Sequence, residues 1–108
     1  MSPDLSPPLT TYFEASNAHD AEALLSVFAE DASVRDEGRE MIGLAAIRGW
    51  AEATFRAYRM TITPNEVERL GDATVVRAQV AGAFPGSPIM LPFRFEIADR
   101  KITALEIG

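Results

Sequence analysis

The sequence predicts an α+β domain in which three N-terminal helices pack on a curved antiparallel sheet. Apolar residues recur at helical spacing as far as Tyr58, and beyond it the pattern changes to alternation, which is typical of strands. Helices and strands follow one another in two blocks and do not alternate, so a parallel sheet with crossover helices is disfavoured. With 108 residues and short linkers, we expect one domain over residues 1–108, of which residues 1–8 form a loose, proline-rich arm.

Capping signals and apolar stripes place the three helices. Ser6 is a candidate N-cap for the first helix, Pro7 suits its first position, and the helix is predicted to run to about Ala18. Asp20 is placed to cap the second helix. The third helix is predicted over residues 44–58, with Trp50 on its flank. The apolar stripes of the second and third helices are Ala21, Leu24, Leu25 and Phe28, and Leu44, Ile47, Ala51, Phe55 and Tyr58.

Alternating segments predict the strands of the sheet. A short strand containing Asp36 precedes the third helix, and the segment "GREMIG" that follows it predicts a turn. After the third helix, four strands are predicted over residues 59–70, 73–84, 88–98 and 101–107, separated by "GD", "PGSP" and "DR". In the third of these, one face is a predicted core wall made of Ile89, Leu91, Phe93, Phe95 and Ile97.

Composition excludes several classes of function. Ten Lys and Arg residues against sixteen Asp and Glu residues give a formal charge of -6, which disfavours nucleic acid and anionic membrane surfaces as partners. The chain has no Cys, one His and no acidic cluster at ligand spacing, so we expect no metal and no cofactor. The only histidine, His19, is expected in a solvated turn. No segment resembles a signal peptide or a membrane span, and we expect a cytoplasmic protein.

Asp36 is the residue that the strand pattern leaves unexplained. Side chains alternate along a strand, so Asp36 shares a face with Val34, which should point to the core. An ionised carboxylate in an apolar core is costly unless it is paired, hydrogen-bonded or in a cavity. Either the strand end is frayed and Asp36 is solvated, or Asp36 lines a pocket and has a raised pKa.

Three runs of sequence carry a family resemblance. The run "TYFEASNAHDAEALLSVFAEDASVRDEG", then "GLAAIRGW", then "PFRFEIADRKITALE", resembles the nuclear transport factor 2-like superfamily, in particular its ketosteroid isomerase and SnoaL-like polyketide cyclase branches. The resemblance implies a cone-shaped, partly closed barrel with a deep apolar pocket. It also implies a homodimer formed through the outer sheet face, which here carries Arg77, Gln79, Ala81 and Ala83.

The resemblance also implies roles for individual residues. Tyr12 falls where the isomerases keep a tyrosine that donates to the substrate oxyanion, and Asp36 falls where they keep the aspartate that moves the proton. Leu91 stands where a second, oxyanion-stabilising aspartate would be, and Ala51 stands where a supporting tyrosine would be. Because the loss of one donor typically costs a few kcal/mol of transition-state stabilisation, authentic steroid isomerase activity is not expected.

Two functions of different classes remain open from the sequence. The first is an isomerase, cyclase or hydrolase that acts on an apolar carbonyl compound, with Asp36 as general base and Tyr12 as hydrogen-bond donor. The second is a non-catalytic ligand-binding or dimerisation module of the same fold. The candidate substrate-binding residues are Phe13, Phe28, Trp50, Phe55, Leu91 and Phe93, although aromatic residues at such spacing are more often core.

Overall fold

Three helices and one six-stranded sheet make up the computed structural model, which describes residues 5–108. Predictions for residues 1–4 lie outside the described residues. The helices are α1 (Pro7–Ala18), α2 (Ala21–Leu25) and α3 (Leu44–Tyr58). The strands are β1 (Phe28–Asp36), β2 (Arg39–Ile42), β3 (Thr61–Leu70), β4 (Ala73–Ala81), β5 (Ile89–Ala98) and β6 (Lys101–Ile107).

The sheet has the strand order β2-β1-β6-β5-β4-β3 and is open, with β2 and β3 at its edges. From β3 to β6, each strand pairs antiparallel with the next strand along the chain, as predicted. Strand β1 pairs parallel to β6, so the sheet is mixed and not purely antiparallel. Register shifts interrupt three of the strand pairings, and such bulges bend a sheet. The predicted α+β class with a curved sheet on three helices is confirmed.

The helix boundaries follow the local signals of the sequence. Pro7 is the first residue of α1, and the Ser6 carbonyl, not its side chain, accepts the N–H groups of the first turn. The Asp20 side chain caps α2 by accepting a hydrogen bond from the Ala23 N–H at 3.1 Å. Helix α3 begins and ends at the predicted residues. Leu5 packs against the core, so residues 5–8 are not all part of a loose arm.

Two local predictions were wrong. Helix α2 ends at Leu25, and Phe28 is the first residue of β1 and not part of a helical stripe. The segment predicted as a turn contains strand β2, which pairs with β1 so that Asp36 lies opposite Arg39. The two residues between them, Glu37 and Gly38, have φ angles of 53° and 75°, which suit a tight two-residue hairpin.

The core lies between the helices and the inner face of the sheet. Phe93 and Phe95 on β5 are buried, Leu91 and Ile97 are half-buried, and Ile89 at the strand's start is 42% exposed. On β4 the apolar residues face the helices while Arg77 and Gln79 are exposed on the outer face, as predicted. The inner face of the sheet is therefore dry at its centre and open to solvent at the end that carries Ile89.

The C-terminal end of α1 is attached to the start of β3. The Asn17 amide pairs with the Ile62 backbone, with Nδ2 2.8 Å from the carbonyl oxygen and Oδ1 2.6 Å from the nitrogen. The exposed His19 ring lies 3.0 Å from the Met60 carbonyl through Nε2. These contacts hold the chain between α3 and β3 in a fixed position beside the pocket described below. Among residues 5–108, no helix is long and apolar enough to span a bilayer.

Candidate functional site

A pocket of about 490 Å³ opens between α3 and the inner face of the sheet. Its apolar wall comes from the sheet and from the chain after α3 and after β4. Its polar groups come from the end of β1, the hairpin after it and α3, namely Asp36, Glu37, Thr54 and Tyr58. The apolar wall consists of Met60, Val80, Phe84, Pro85, Ile89, Leu91, Phe93 and Ile107. The pocket is thus apolar on one side and acidic on the other.

Asp36 stands at the boundary between the core and this pocket. Val34, two residues earlier on the same face, is fully buried, whereas Asp36 is half-buried and lines the pocket. Trp50 Nε1 donates a hydrogen bond to Asp36 Oδ2 at 3.0 Å. Burial raises the pKa of the Asp36 carboxyl above its ordinary value of 3.8, the Trp50 hydrogen bond offsets part of the rise, and the neighbouring Glu37 charge adds to it.

In the part of the chain that the structure describes, the surroundings of Asp36 provide a donor but no counter-ion. Within residues 5–108, no basic side chain lies at ion-pair distance from the Asp36 carboxylate, and the four ion pairs lie elsewhere, on Arg35 and Arg48. A carboxylate that is desolvated, oriented by one N–H and not neutralised by a cation retains its basicity. The geometry therefore suits a group that accepts a proton from a molecule in the pocket.

Helix α3 supplies two polar side chains that the sequence analysis did not assign to the site. Thr54 and Tyr58 line the pocket, and Tyr58 donates a hydrogen bond from its hydroxyl to Glu37 Oε1 at 3.2 Å. The charge of Glu37 raises the pKa of Tyr58, so the phenol remains a donor. Trp50, Thr54 and Tyr58 are spaced by four residues and share one helix face. That spacing, on the side of α3 next to its apolar stripe, was the signal available in the sequence.

Tyr12 does not line the pocket. It is 1% exposed and lies in an aromatic cluster, with its ring centroid 5.1 Å from that of Phe13 and 5.3 Å from that of Phe95. Burial raises the pKa of Tyr12 far above its usual range, a Ser16 hydrogen bond offsets part of the rise, and the charge of Asp36 adds to it. The structure thus brings Tyr12 near Asp36 without exposing the phenol to a ligand.

The remaining candidate residues divide between pocket and core. Leu91 and Phe93 line the pocket with Asp36, as expected for its apolar wall. Phe13 and Phe28 belong to the buried aromatic cluster around Tyr12 and do not reach the pocket. Phe55 stacks on His19 with ring centroids 5.2 Å apart. Trp50 lines a neighbouring cavity and not the pocket itself, and its indole donates the hydrogen bond to Asp36 from there.

The pocket brings one carboxylate and two hydroxyl groups together. Asp36 supplies the carboxylate, and Thr54 and Tyr58 supply hydroxyl groups on the facing helix, which are the kinds of group that general acid–base chemistry uses. Among residues 5–108, no group of three or more His, Cys, Asp or Glu side chains is arranged to hold a metal ion.

Comparison with solved structures places this architecture among known folds. The chain is 42% identical to a candidate polyketide cyclase from Sinorhizobium meliloti, with 97% of this chain and 96% of that chain covered and a TM-score of 0.93. A hypothetical protein with a ketosteroid isomerase-like fold from Catenulispora acidiphila, solved in complex with trimethylamine, is 23% identical, with coverages of 100% and 86% and a TM-score of 0.83.

A third similar structure is an epoxide hydrolase/cyclase-like enzyme of pyran ring formation in the polyether salinomycin. It is 22% identical, with coverages of 93% and 85% and a TM-score of 0.80, and at this identity the likeness concerns the fold. No curated protein gives a significant match. The model of the SnoaL-like domain matches residues 9–105. Since that match covers most of the chain and confirms the resemblance found in its sequence, the protein belongs to the SnoaL-like domain family.

Proposed function

We propose that this protein is a small enzyme in which Asp36 acts as general base on an apolar carbonyl compound bound in the pocket. The observation that supports the proposal is the position of the Asp36 carboxylate, which is half-buried beside an apolar wall and has a raised pKa. A base with a raised pKa is better matched to proton abstraction near neutral pH than an ordinary aspartate. The reaction class is isomerisation, cyclisation or hydrolysis.

The donor role is assigned to α3 and not to Tyr12. Removal of a proton beside a carbonyl places negative charge on the carbonyl oxygen, and a donor must lie where that charge develops. Tyr12 is buried outside the pocket, whereas Thr54 and Tyr58 line it. Leu91 stands where a steroid isomerase has a second acid, so this site has fewer hydrogen-bond donors. We therefore propose a substrate that needs less stabilisation of the negative charge that develops on its carbonyl oxygen.

The relatives support a reaction of this kind. The Sinorhizobium meliloti protein is a candidate polyketide cyclase, and the salinomycin enzyme is described as epoxide hydrolase/cyclase-like. Cyclisation of a polyketide chain requires activation of a carbon or an oxygen nucleophile, which a general base provides. We therefore propose an uncharged polyketide-like carbonyl compound as the substrate class.

A carbon-acid probe tests the general base without knowledge of the natural substrate. In 5-nitrobenzisoxazole, removal of the ring C–H proton breaks the N–O bond and releases the coloured 2-cyano-4-nitrophenolate. We expect the protein to accelerate this reaction and Asp36→Asn to reduce the rate about 100-fold or more, the usual contribution of a general base. The matched control is Asp31→Asn, an exposed acid on the same strand, which should retain the rate. Equal rates for Asp36→Asn and the unmodified protein would contradict the proposal.

A non-catalytic binding module is the second candidate. The observation that favours it is the Trp50 hydrogen bond, which already occupies one Asp36 oxygen, together with the apolar Leu91 in the pocket wall. This candidate predicts that a small ketone such as 2-octanone binds and that no Asp36-dependent turnover of 5-nitrobenzisoxazole occurs. Titration calorimetry with 2-octanone and the rate assay therefore separate the two functions.

We also propose that the protein forms a homodimer through the outer face of its sheet and acts in the cytoplasm. The exposed Arg77 and Gln79 lie on this face next to the half-buried Ala81, which gives a mixed polar and small surface. An isologous contact requires that such a surface complements its own copy. Sedimentation velocity should show a dimer at micromolar concentration, and Gln79→Lys should dissociate it by placing like charges together. A monomer at all concentrations would contradict the dimer.

A further inference from the structure

A second cavity of about 500 Å³ lies next to the pocket, between α3 and the hairpin formed by β1 and β2. It shares three lining residues with the pocket, namely Glu37, Thr54 and Tyr58. No role is assigned to this second cavity by the proposed function. Because the same three residues line both spaces, the two cavities adjoin each other.

Two hydrogen bonds form the partition between the cavities. Trp50 Nε1 donates to Asp36 Oδ2 at 3.0 Å, and the Tyr58 hydroxyl donates to Glu37 Oε1 at 3.2 Å. Both donors belong to the polar face of α3, and both acceptors belong to the end of β1 and the hairpin after it. Thr54 lies between the two donors on the same face. The candidate base, Asp36, therefore stands at the boundary and not at the bottom of a closed pocket.

The two cavities differ in chemical character. The pocket has an apolar wall that includes Leu91, Phe93 and Ile107. The second cavity has charged side chains, including Arg39 and Glu40, above a floor of small residues on α3, including Ala46 and Ala53. An apolar wall binds hydrocarbon, whereas the charged side chains of the second cavity offer hydrogen bonds to hydroxyl or carbonyl groups.

We propose that the two cavities are the two halves of one elongated site, in which a chain-like carbonyl compound places its apolar end in the pocket, its reacting centre at Asp36 and its hydroxylated end in the second cavity. This inference rests on the proposed function and adds the shape of the substrate to it. In this arrangement the reacting carbon lies within the chain and not at its end.

The Tyr58–Glu37 hydrogen bond is the part of the partition that a long ligand displaces. Tyr58 is the last residue of α3, and Glu37 is at an exposed hairpin turn, so both side chains can move without disturbing the core. An exposed hydrogen bond contributes only a modest net free energy, because water or a ligand replaces either partner. The Trp50–Asp36 bond, which is partly buried, remains in place and keeps the base oriented.

Methyl NMR with a short and a long probe tests this inference. The short probe is 2-octanone and the long probe is 12-hydroxydodecan-6-one. We expect 2-octanone to shift the methyl signals of Leu91 and Ile107 but not those of Ala46 and Ala53, and the long probe to shift all four. If neither probe shifts Leu91 and Ile107, the proposed pocket itself fails. If both shift Leu91 and Ile107 and neither shifts the alanine methyls, the proposed function stands and the elongated site is wrong.

A pair of tyrosine variants tests the partition. Tyr58→Phe removes the hydrogen bond to Glu37 and should increase the affinity for the long probe relative to 2-octanone about two- to tenfold, the range that corresponds to one net hydrogen bond. Tyr12→Phe makes the same atomic change at a buried position outside both cavities, and it should leave this ratio unchanged. A ratio that is unchanged or lower in Tyr58→Phe would overturn the partition.

Discussion

Trp50 and Asp36 form a hydrogen bond of 3.0 Å between the third helix and the end of the first strand, with the indole as donor. The bond holds the carboxylate at the edge of an apolar pocket and stabilises its charged form. It acts against the burial that raises the Asp36 pKa, so the basicity of Asp36 reflects a balance between the two.

Trp50→Phe should shift this balance. The variant removes the only side-chain donor to Asp36 in the described residues while it retains an aromatic ring, so the pKa of Asp36 should rise further. Loss of a hydrogen bond to a charged group should also lower the free energy of unfolding by about 1.5–3 kcal/mol at pH 7. Carboxyl NMR titration and urea unfolding measure the two effects. An unchanged or lower pKa in Trp50→Phe would show that the indole does not stabilise the carboxylate.

Asp36→Asn should make the stability of the protein less dependent on pH. Because burial raises the folded-state pKa of Asp36 above 3.8, the folded state binds a proton more readily than the unfolded state does. Asp36 therefore adds to the free energy of unfolding at low pH, and this stabilisation is lost as the pH rises through the folded-state pKa. The melting temperature of Asp36→Asn should exceed that of the unmodified protein at pH 7, and the difference should diminish toward pH 4. A variant less stable at pH 7 would contradict the sign.

Asn17→Ala should destabilise the attachment of α1 to β3. The change removes both hydrogen bonds between the Asn17 amide and the Ile62 backbone, and we expect a loss of about 2 kcal/mol in the free energy of unfolding. Asn65→Ala is the matched control, because the exposed Asn65 has only a weak contact of 3.5 Å with the Met90 sulfur. Denaturant unfolding of the two variants measures the difference. Equal changes in the free energy of unfolding of the two variants would contradict a stabilising role of the Asn17 hydrogen bonds.

Gly82→Ala should disturb the wall of the pocket. A Cβ atom at Gly82 would lie 2.6 Å from the Tyr58 carbonyl oxygen, a backbone atom that cannot move aside easily. Overpacking of this kind costs about 1–3 kcal/mol, and it should also shift the Phe84 signals beside the pocket. Gly49→Ala is the control, since its Cβ would meet nothing within 4 Å in the middle of α3, and it should stabilise the helix by up to about 1 kcal/mol.

Strong periodic patterns predicted most of the fold from the sequence. The apolar stripe of α3 predicted its bounds, and the alternation after Tyr58 predicted β3 to β6 because their inner faces are buried. Strand β2 was missed since only Met41 of its four residues is buried, which leaves no alternation to detect. The residues Glu37 and Gly38 before it resemble a hairpin turn, and this signal was available.

Residues of the candidate site were predicted only where the alternation of side chains along a strand decides which face of the sheet they point to. The alternation of β1 and β5 predicted that Asp36, Leu91 and Phe93 face inward, and all three line the pocket. The direction of the Tyr12 side chain depends on packing among distant aromatic rings, which one sequence does not specify. Tyr58 was assigned to the core stripe of α3, although its position at the end of the helix brings it to the pocket.

A pH titration of the Asp36 side-chain carboxyl carbon by NMR is the decisive test of a base in the pocket. We expect a midpoint clearly above the ordinary value of 3.8, because the carboxylate is desolvated beside Leu91 and Phe93 and no basic side chain among residues 5–108 lies at ion-pair distance from it. A midpoint for Asp36 at or below 3.8 would identify a solvated strand-end acid and contradict the pocket base.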